Sequence, residues 1–166
     1  MGAVSSNDES MTSFSCLGPA DGGRIKPGLS APGCESGGDG VVASTFPGGG
    51  YGTYCGTWMA SPTVCGISAL IIEDWRATFP EKHDLGNSSL KALLANSGAD
   101  LGNPGPDCLY GFGTVRAKHA IDALRLGSVI EGSVGDGGSY EFLVLVSDGD
   151  SELKITLAVC GPGDTR

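Results

Sequence analysis

The chain has 166 residues, a length that fits one domain or one domain and part of another, and 40% of it is apolar, enough to fill a core. Its 29 glycines lie far above average usage and imply many tight turns and close backbone approaches. Ten Lys and Arg are scattered among 19 Asp and Glu, for a formal net charge of −9, which excludes a phosphate-binding surface and removes nucleic acid as a partner.

The first residues lack the basic start and apolar run of a signal peptide. Met1-Gly2 with Ser6 formally fits a myristoylation pattern, but residues 1–4 read better as the tail of an internal strand. A polar turn follows over residues 5–10, then a short extended piece over 13–15. The turn Asp21-Gly22-Gly23 leads into an extended run over 25–31, and Pro32-Gly33 turns the chain. Residues 41–45, β-branched in part, predict a strand. The glycine tract 48–52 completes neither GxGxxG nor GxxxxGK[ST] and has no lysine after it, so it reads as a flexible connector and not a phosphate loop.

A glycine turn at Gly56 then feeds a helix predicted from Thr57 to about Arg76, with Pro62 read as lying in its first turn. Its apolar residues Met59, Val64, Ile67, Leu70, Ile71, Ile72 and Trp75 fall on more than one face, the mark of a central helix. A second helix is predicted over 88–96 behind an Asn87-Ser88 cap, with Leu90, Leu93 and Leu94 on one face. A third is predicted from Gly113 to Leu124, with Val115, Ala117, Ala120, Ile121 and Leu124 at helical spacing. After Leu126 the period changes from 3.6 to 2, which places a domain boundary near residues 125–127. Residues 140–146 read as one strand, 147–151 as a turn, and Leu153, Ile155, Leu157 and Val159 as the alternating face of a second strand. No apolar run approaches the ~20 residues of a membrane span.

The six cysteines, 16, 34, 55, 65, 108 and 160, form an even set without a CxxC pair or a zinc spacing, so no metal site is expected. Cys65 reads as a small buried hydrophobe inside the first helix, whereas Cys16, Cys34, Cys55 and Cys108 sit in loops where pairing is open to them.

The segment Gly56-Thr57-Trp58-Met59-Ala60-Ser61-Pro62-Thr63-Val64-Cys65-Gly66 resembles the nucleophile segment of subtilisin-like serine proteases, usually GTSMASPHVAG. Further short matches stand around it in family order. Phe14 to Pro19 resembles FSSRGP with Leu17 in place of the arginine, and Lys26 to Gly33 resembles KPDIVAPG with the aspartate lost at Gly28. Ser44-Thr45 and Tyr110-Gly111-Phe112-Gly113 follow, the latter opening a closing helix like YGFGxVxAxxAV. The resemblance implies an α/β fold: the C-terminal third of a parallel-sheet subtilisin-like domain over 1–126, then the truncated start of a β-sandwich over 127–166. About 40 residues cannot complete such a sandwich, which takes about seven strands and ~100 residues.

By the same resemblance, the position of the nucleophilic serine is Trp58, and the activity of the parent family is peptide-bond hydrolysis without a cofactor. A serine protease needs a hydroxyl, an imidazole, a carboxylate and oxyanion donors. Trp58 supplies no attacking atom, and the Asp, His and oxyanion-asparagine segments of the family would lie upstream of Met1. His83 and His119 stand in no context resembling the family's catalytic HGT segment. The implied partner is a peptide or protein substrate, the implied parent extracellular, and the chain as written inactive. The alternatives are a non-catalytic peptide-binding pseudoprotease module and the inert product of a truncated gene. A helix apolar on several faces beside an open β-tail leads us to expect self-association.

Overall fold

The computed structural model describes residues 1–35, 40–46, 48–145 and 153–159. In chain order the elements are β1 (Gly2–Ser5), β2 (Ser30–Cys34), β3 (Val41–Phe46), β4 (Gly50–Tyr54), α1 (Thr57–Thr78), α2 (Asn87–Ser97) and α3 (Ala117–Arg125). β1 and β2 pair in parallel, with Gly2 opposite Ser30 and Ala3 opposite Ala31, and β3 and β4 form an antiparallel hairpin. The mixed helix and strand architecture with a parallel pair agrees with the α/β class expected.

Two strand assignments differ from the sequence reading. β2 begins only at Ser30 and runs through Pro32-Gly33, because the Gly33 carbonyl accepts a bond from the Gly56 amide (2.9 Å) and the Cys34 carbonyl one from Ser6 (2.8 Å), which keeps the backbone extended. The glycine tract is not a loose connector. Gly48 and Gly49 take positive φ (108° and 80°), conformations that let a tight turn close, and the following residues pair with β3.

The core lies where α1 covers β1 and β2 and meets α3. α1 buries Ala60, Val64, Ile71 and Trp75, spaced as one helical stripe, against Ala3, Ala31, Leu93 and Leu124. The expectation of burial all round is not met: Leu70, Cys65 and Ala69 are exposed, since the described elements packed on α1 occupy only one side of it. α2 runs one residue longer at each end than predicted, and no side chain within it caps it. Instead Glu131, from beyond α3, accepts from the Gly86 amide (3.1 Å) and from the Ser89 hydroxyl, a carboxylate at the positive end of the helix. α3 starts four residues later than predicted. Gly113 has φ 105°, Thr114 exchanges two 2.9 Å bonds with Ala99, and Val115 donates to Ser30 (3.0 Å), so this stretch is held as sheet-like backbone before the helix can begin.

The tail departs furthest. Residues 140–145 and 153–159 are described but form no strand, and the turn expected over 147–151, with Val146 and Cys160, lies outside the described residues. Asn96 donates to the Lys154 carbonyl (2.9 Å) and the Thr156 hydroxyl (3.2 Å), docking the second segment on the end of α2. A lone two-stranded ribbon is marginal in water, and Leu143, Leu145 and Leu157 remain almost fully exposed.

An ion pair joins α3 to α1: Arg125 contacts Asp74 through Nε at 3.1 Å and Nη2 at 2.5 Å. Its hydrogen bond from Arg125 holds the Asp74 carboxyl below the usual carboxylate range. A lowered folded-state value means that the pair stabilises above pH ~4 and that this contribution fades as pH falls through the depressed value. We expect Arg125→Ala to lower Tm at pH 6 and that difference to shrink progressively as pH falls below ~4, measured by thermal circular dichroism. A Tm gap that stays constant throughout the acid range, down to the lowest pH at which the chain still folds, would mean that Arg125 acts through packing alone.

Candidate active site

Three features fix the start of α1. The Gly56 amide donates to Gly33 of β2, and Cys55 is disulfide-bonded to Cys34 with Cα atoms 4.6 Å apart. Space is the third: a Cβ on Gly33 would lie 2.7 Å from both the Ala3 side chain and the Gly56 carbonyl, so only glycine lets the loop approach β2 this closely. Residue 58 is therefore held by strand, disulfide and helix together.

At the helix start the Gly56 carbonyl accepts from Met59 (3.0 Å) and Ala60 (3.4 Å). The Trp58 amide lies in the first turn, among the donors for which α-helix geometry provides no intrahelical acceptor. Pro62 is the sixth helical residue, not a first-turn one, and it has no N–H to give to the carbonyl four residues back, which is that of Trp58. Both backbone polar groups of residue 58 thus fall outside the helical ladder.

The Trp58 indole is 82% exposed. It borders an open depression of about 710 Å³ lined by Met1, Thr57, Trp58, Ser61, Pro62 and Cys65. Positions 58, 61, 62 and 65 share one face of α1, opposite the buried stripe. The expectation of a buried Cys65 is corrected here, since its thiol is exposed. Sequence reading also passed over Met1 as part of this surface. The helical spacing of 58, 61, 62 and 65 was visible, but nothing in it says which face meets the strands.

None of these groups forms a nucleophile with its base. Cys55 is consumed by its disulfide. Ser61 carries an exposed hydroxyl, but no imidazole lines the depression. His83 lies at the far end of α1: its carbonyl accepts from the Trp75 indole (2.9 Å), and the helix rise from 58 to 75 is about 25 Å. There His83 Nδ1 meets the Asp84 carbonyl (2.9 Å) and Nε2 lies 3.7 Å from Glu131. His119 is exposed on α3 and does not line the depression. Among the described residues no group of three His, Cys, Asp or Glu is placed to hold a metal ion, and no helix is long and apolar enough to cross a membrane.

Comparison with known proteins defines the class. The family model described as the subtilase family, Peptidase S8, matches residues 1–113, and the chain belongs to that family. It is 34% identical over 126 residues to serine protease AprX of Bacillus subtilis, covering 71% of this chain and 27% of AprX. It is 31% identical over 157 residues to the minor extracellular protease Vpr of the same organism, covering 88% of this chain and 17% of Vpr. The chain therefore spans about a quarter or less of these relatives. Among solved structures it is similar to a lanthipeptide protease (27% identity, TM-score 0.58) and to the CspB protease of Clostridium perfringens (27% identity, TM-score 0.58). Each match covers 74% of this chain, and 40% and 26% of those chains respectively.

Proposed function

We propose that this chain is a non-hydrolytic piece of a subtilisin-like serine endopeptidase domain, in which the segment that bears the family's nucleophile is kept in place but carries no attacking atom. Trp58 is the observation that supports this reading. It follows Gly56-Thr57 at the start of α1, in the register of the family serine, and its exposed side chain lines the depression beside that helix. Peptide-bond hydrolysis begins with attack on the scissile carbonyl, a proton passing to a base and negative charge building on oxygen. The Trp58 amide at the helix start suits only the last of these, as a donor in a region of partial positive charge. A carbonyl can be held there but not cut.

A second reading, a peptide-holding pseudoprotease module, is favoured by the exposed indole and the neighbouring Met1 and Pro62, which offer an apolar platform to an extended peptide. We further propose that residues 1–126 form the catalytic-domain portion and that residues 127–166 open a β-sandwich. The alternating apolar pattern of residues 153–159 favours the sandwich, and the match to Vpr, whose 88% coverage necessarily extends past residue 126, favours a tail that continues the family chain.

The two tryptophans separate the readings, since Trp58 is exposed and Trp75 is only 3% exposed. Titrating the chain with short unstructured peptides should blue-shift the emission that Trp58→Phe removes and slow its acrylamide quenching, while mass spectrometry finds the peptides intact. An unchanged spectrum up to millimolar peptide would remove the peptide-holding module. Cleaved peptide would overturn the non-hydrolytic reading itself.

A further inference from the structure

Outside the Cys34–Cys55 bridge, Cys16, Cys65 and Cys108 are free thiols. Cys16 and Cys108 flank a single backbone contact: the Gly18 amide donates to the Cys108 carbonyl at 2.9 Å. We infer that Cys16 and Cys108 are a redox couple that closes a second, reversible disulfide between the loop after β1 and the loop before α3.

The two cysteines stand in complementary surroundings. Cys108 sits on a rigid loop. Asp107 accepts from the Leu109 and Tyr110 amides (2.9 and 2.7 Å) and exchanges backbone bonds with Gly111 (3.0 and 3.1 Å), so the Cys108 backbone is held on both sides. Cys16 sits on an exposed turn between two fixed points. Ser15 is tied to Thr12 through its amide (3.1 Å) and to the Ala3 amide through its hydroxyl (3.1 Å), and Gly18 is tied to Cys108. Only Cys16 and Leu17 lie between those anchors, and both are exposed.

The Gly18 hydrogen bond places the Cα atoms of Gly18 and Cys108 roughly 5–6 Å apart, and Cys16 lies two residues, at most ~7 Å, further along. Disulfides bridge Cα separations up to about 7 Å. Closing the gap therefore needs a swing of the Cys16–Leu17 turn of no more than ~6 Å, and both residues of that turn are exposed. Cys65 is excluded from this pair by position, on the exposed face of α1 beside Trp58.

The oxidant is a low-molecular-weight disulfide such as glutathione disulfide. The exposed Cys16 thiolate attacks one of its sulfurs, forming a mixed disulfide and releasing one glutathione thiolate. The Cys108 thiolate then attacks the Cys16 sulfur, forming the Cys16–Cys108 bond and releasing the second glutathione. In sum two protein thiols give up two protons and two electrons, and glutathione disulfide is reduced to two glutathiones. The bond closes a loop of roughly 90 residues that contains α1 and α2, a span over which a cross-link restricts the unfolded chain strongly.

The test equilibrates the full chain at nanomolar concentration, below its self-association, in glutathione disulfide, then alkylates, digests without reduction and maps the peptides by mass spectrometry. The expected product is an intramolecular Cys16–Cys108 linked peptide in monomeric chain, lost on mild reduction, with Cys65 outside the pair. Three outcomes would overturn it: Cys16 remaining a glutathione mixed disulfide, either cysteine pairing with Cys65 or Cys160, or Cys16–Cys108 links found only between chains.

Discussion

Replacing Trp58 by serine leaves the chain without measurable peptidase or esterase activity. The substitution restores the family residue in GTSMASP and puts a hydroxyl at the start of α1, on a backbone already held by Gly33 and the Cys34–Cys55 bridge. A hydroxyl attacks a carbonyl only when a base takes its proton, and triad members act as a unit, so supplying one of them yields almost none of the combined effect. Of this chain's two histidines, His83 meets Trp75, about 25 Å of helix rise from residue 58, and is engaged with Asp84 and Glu131, and His119 does not line the depression. Thr63 occupies the place of the histidine in the family's SPHVAG, but its hydroxyl donates to the Met59 carbonyl within the helix (3.1 Å). Turnover of a chromogenic peptide and of a nitrophenyl ester by purified Trp58→Ser should match buffer. Activity that His83→Ala or His119→Ala abolishes would reveal a base in this chain.

The second large effect is association. Leu70, Leu143, Leu145, Leu157 and Val159 are all more than half exposed, the leucines of the tail almost completely so. Covering a single such side chain in a contact between chains is worth about 1.5–3 kcal/mol, so the five on each of two chains together, roughly 15–30 kcal/mol gross, exceed the roughly 4–15 kcal/mol entropic cost of association by the scale of a micromolar affinity. The net charge of −9 opposes this, but at physiological salt repulsion beyond about 8 Å is screened while apolar contact is not. Extended segments with unpaired backbone add further sites for pairing. Sedimentation at ~10 µM should show dimers or larger species, and the triple variant Leu143→Lys, Leu145→Lys, Leu157→Lys should shift the population toward monomer. A parent chain that sediments as a monomer, with a sharp cooperative melt and no binding of a hydrophobic dye, would contradict this.

Much of the helical part was legible because side-chain spacing reports it directly. α1 starts at Thr57 as read, since Gly56 ends the strand side and an apolar run follows, and the leucines of α2 fall on its buried face. What spacing cannot report is which partners exist. Leu70 is as apolar as Ile71, yet the described strands and α3 cover only the side of α1 that bears Ile71. Cys65 was misread for the same reason. The late start of α3 and the extension of β2 through Pro32-Gly33 depend on bonds between residues far apart in sequence, Ser30 with Gly113 and Val115, and Gly33 with Gly56, which no local window contains. The hairpin turn at Gly48-Gly49 could have been read from two adjacent glycines between extended runs. At the candidate site, the place of residue 58 in the first turn of α1 was legible from its motif, whereas the anchoring of that motif by Cys34–Cys55 was only one of several pairings open to the loop cysteines.

The central claim is that the family's nucleophile position in this chain is chemically inert, and covalent labelling tests it most directly. A fluorophosphonate phosphonylates a serine whose hydroxyl has been activated, whether or not a substrate fits the cleft. Purified chain is incubated with the probe beside a Trp58→Ala variant, which clears the ring from the depression while adding no attacking atom. The expected result is no labelling of either protein above a heat-denatured control. Stoichiometric labelling at Ser61, or at another hydroxyl around the start of α1, would contradict the account.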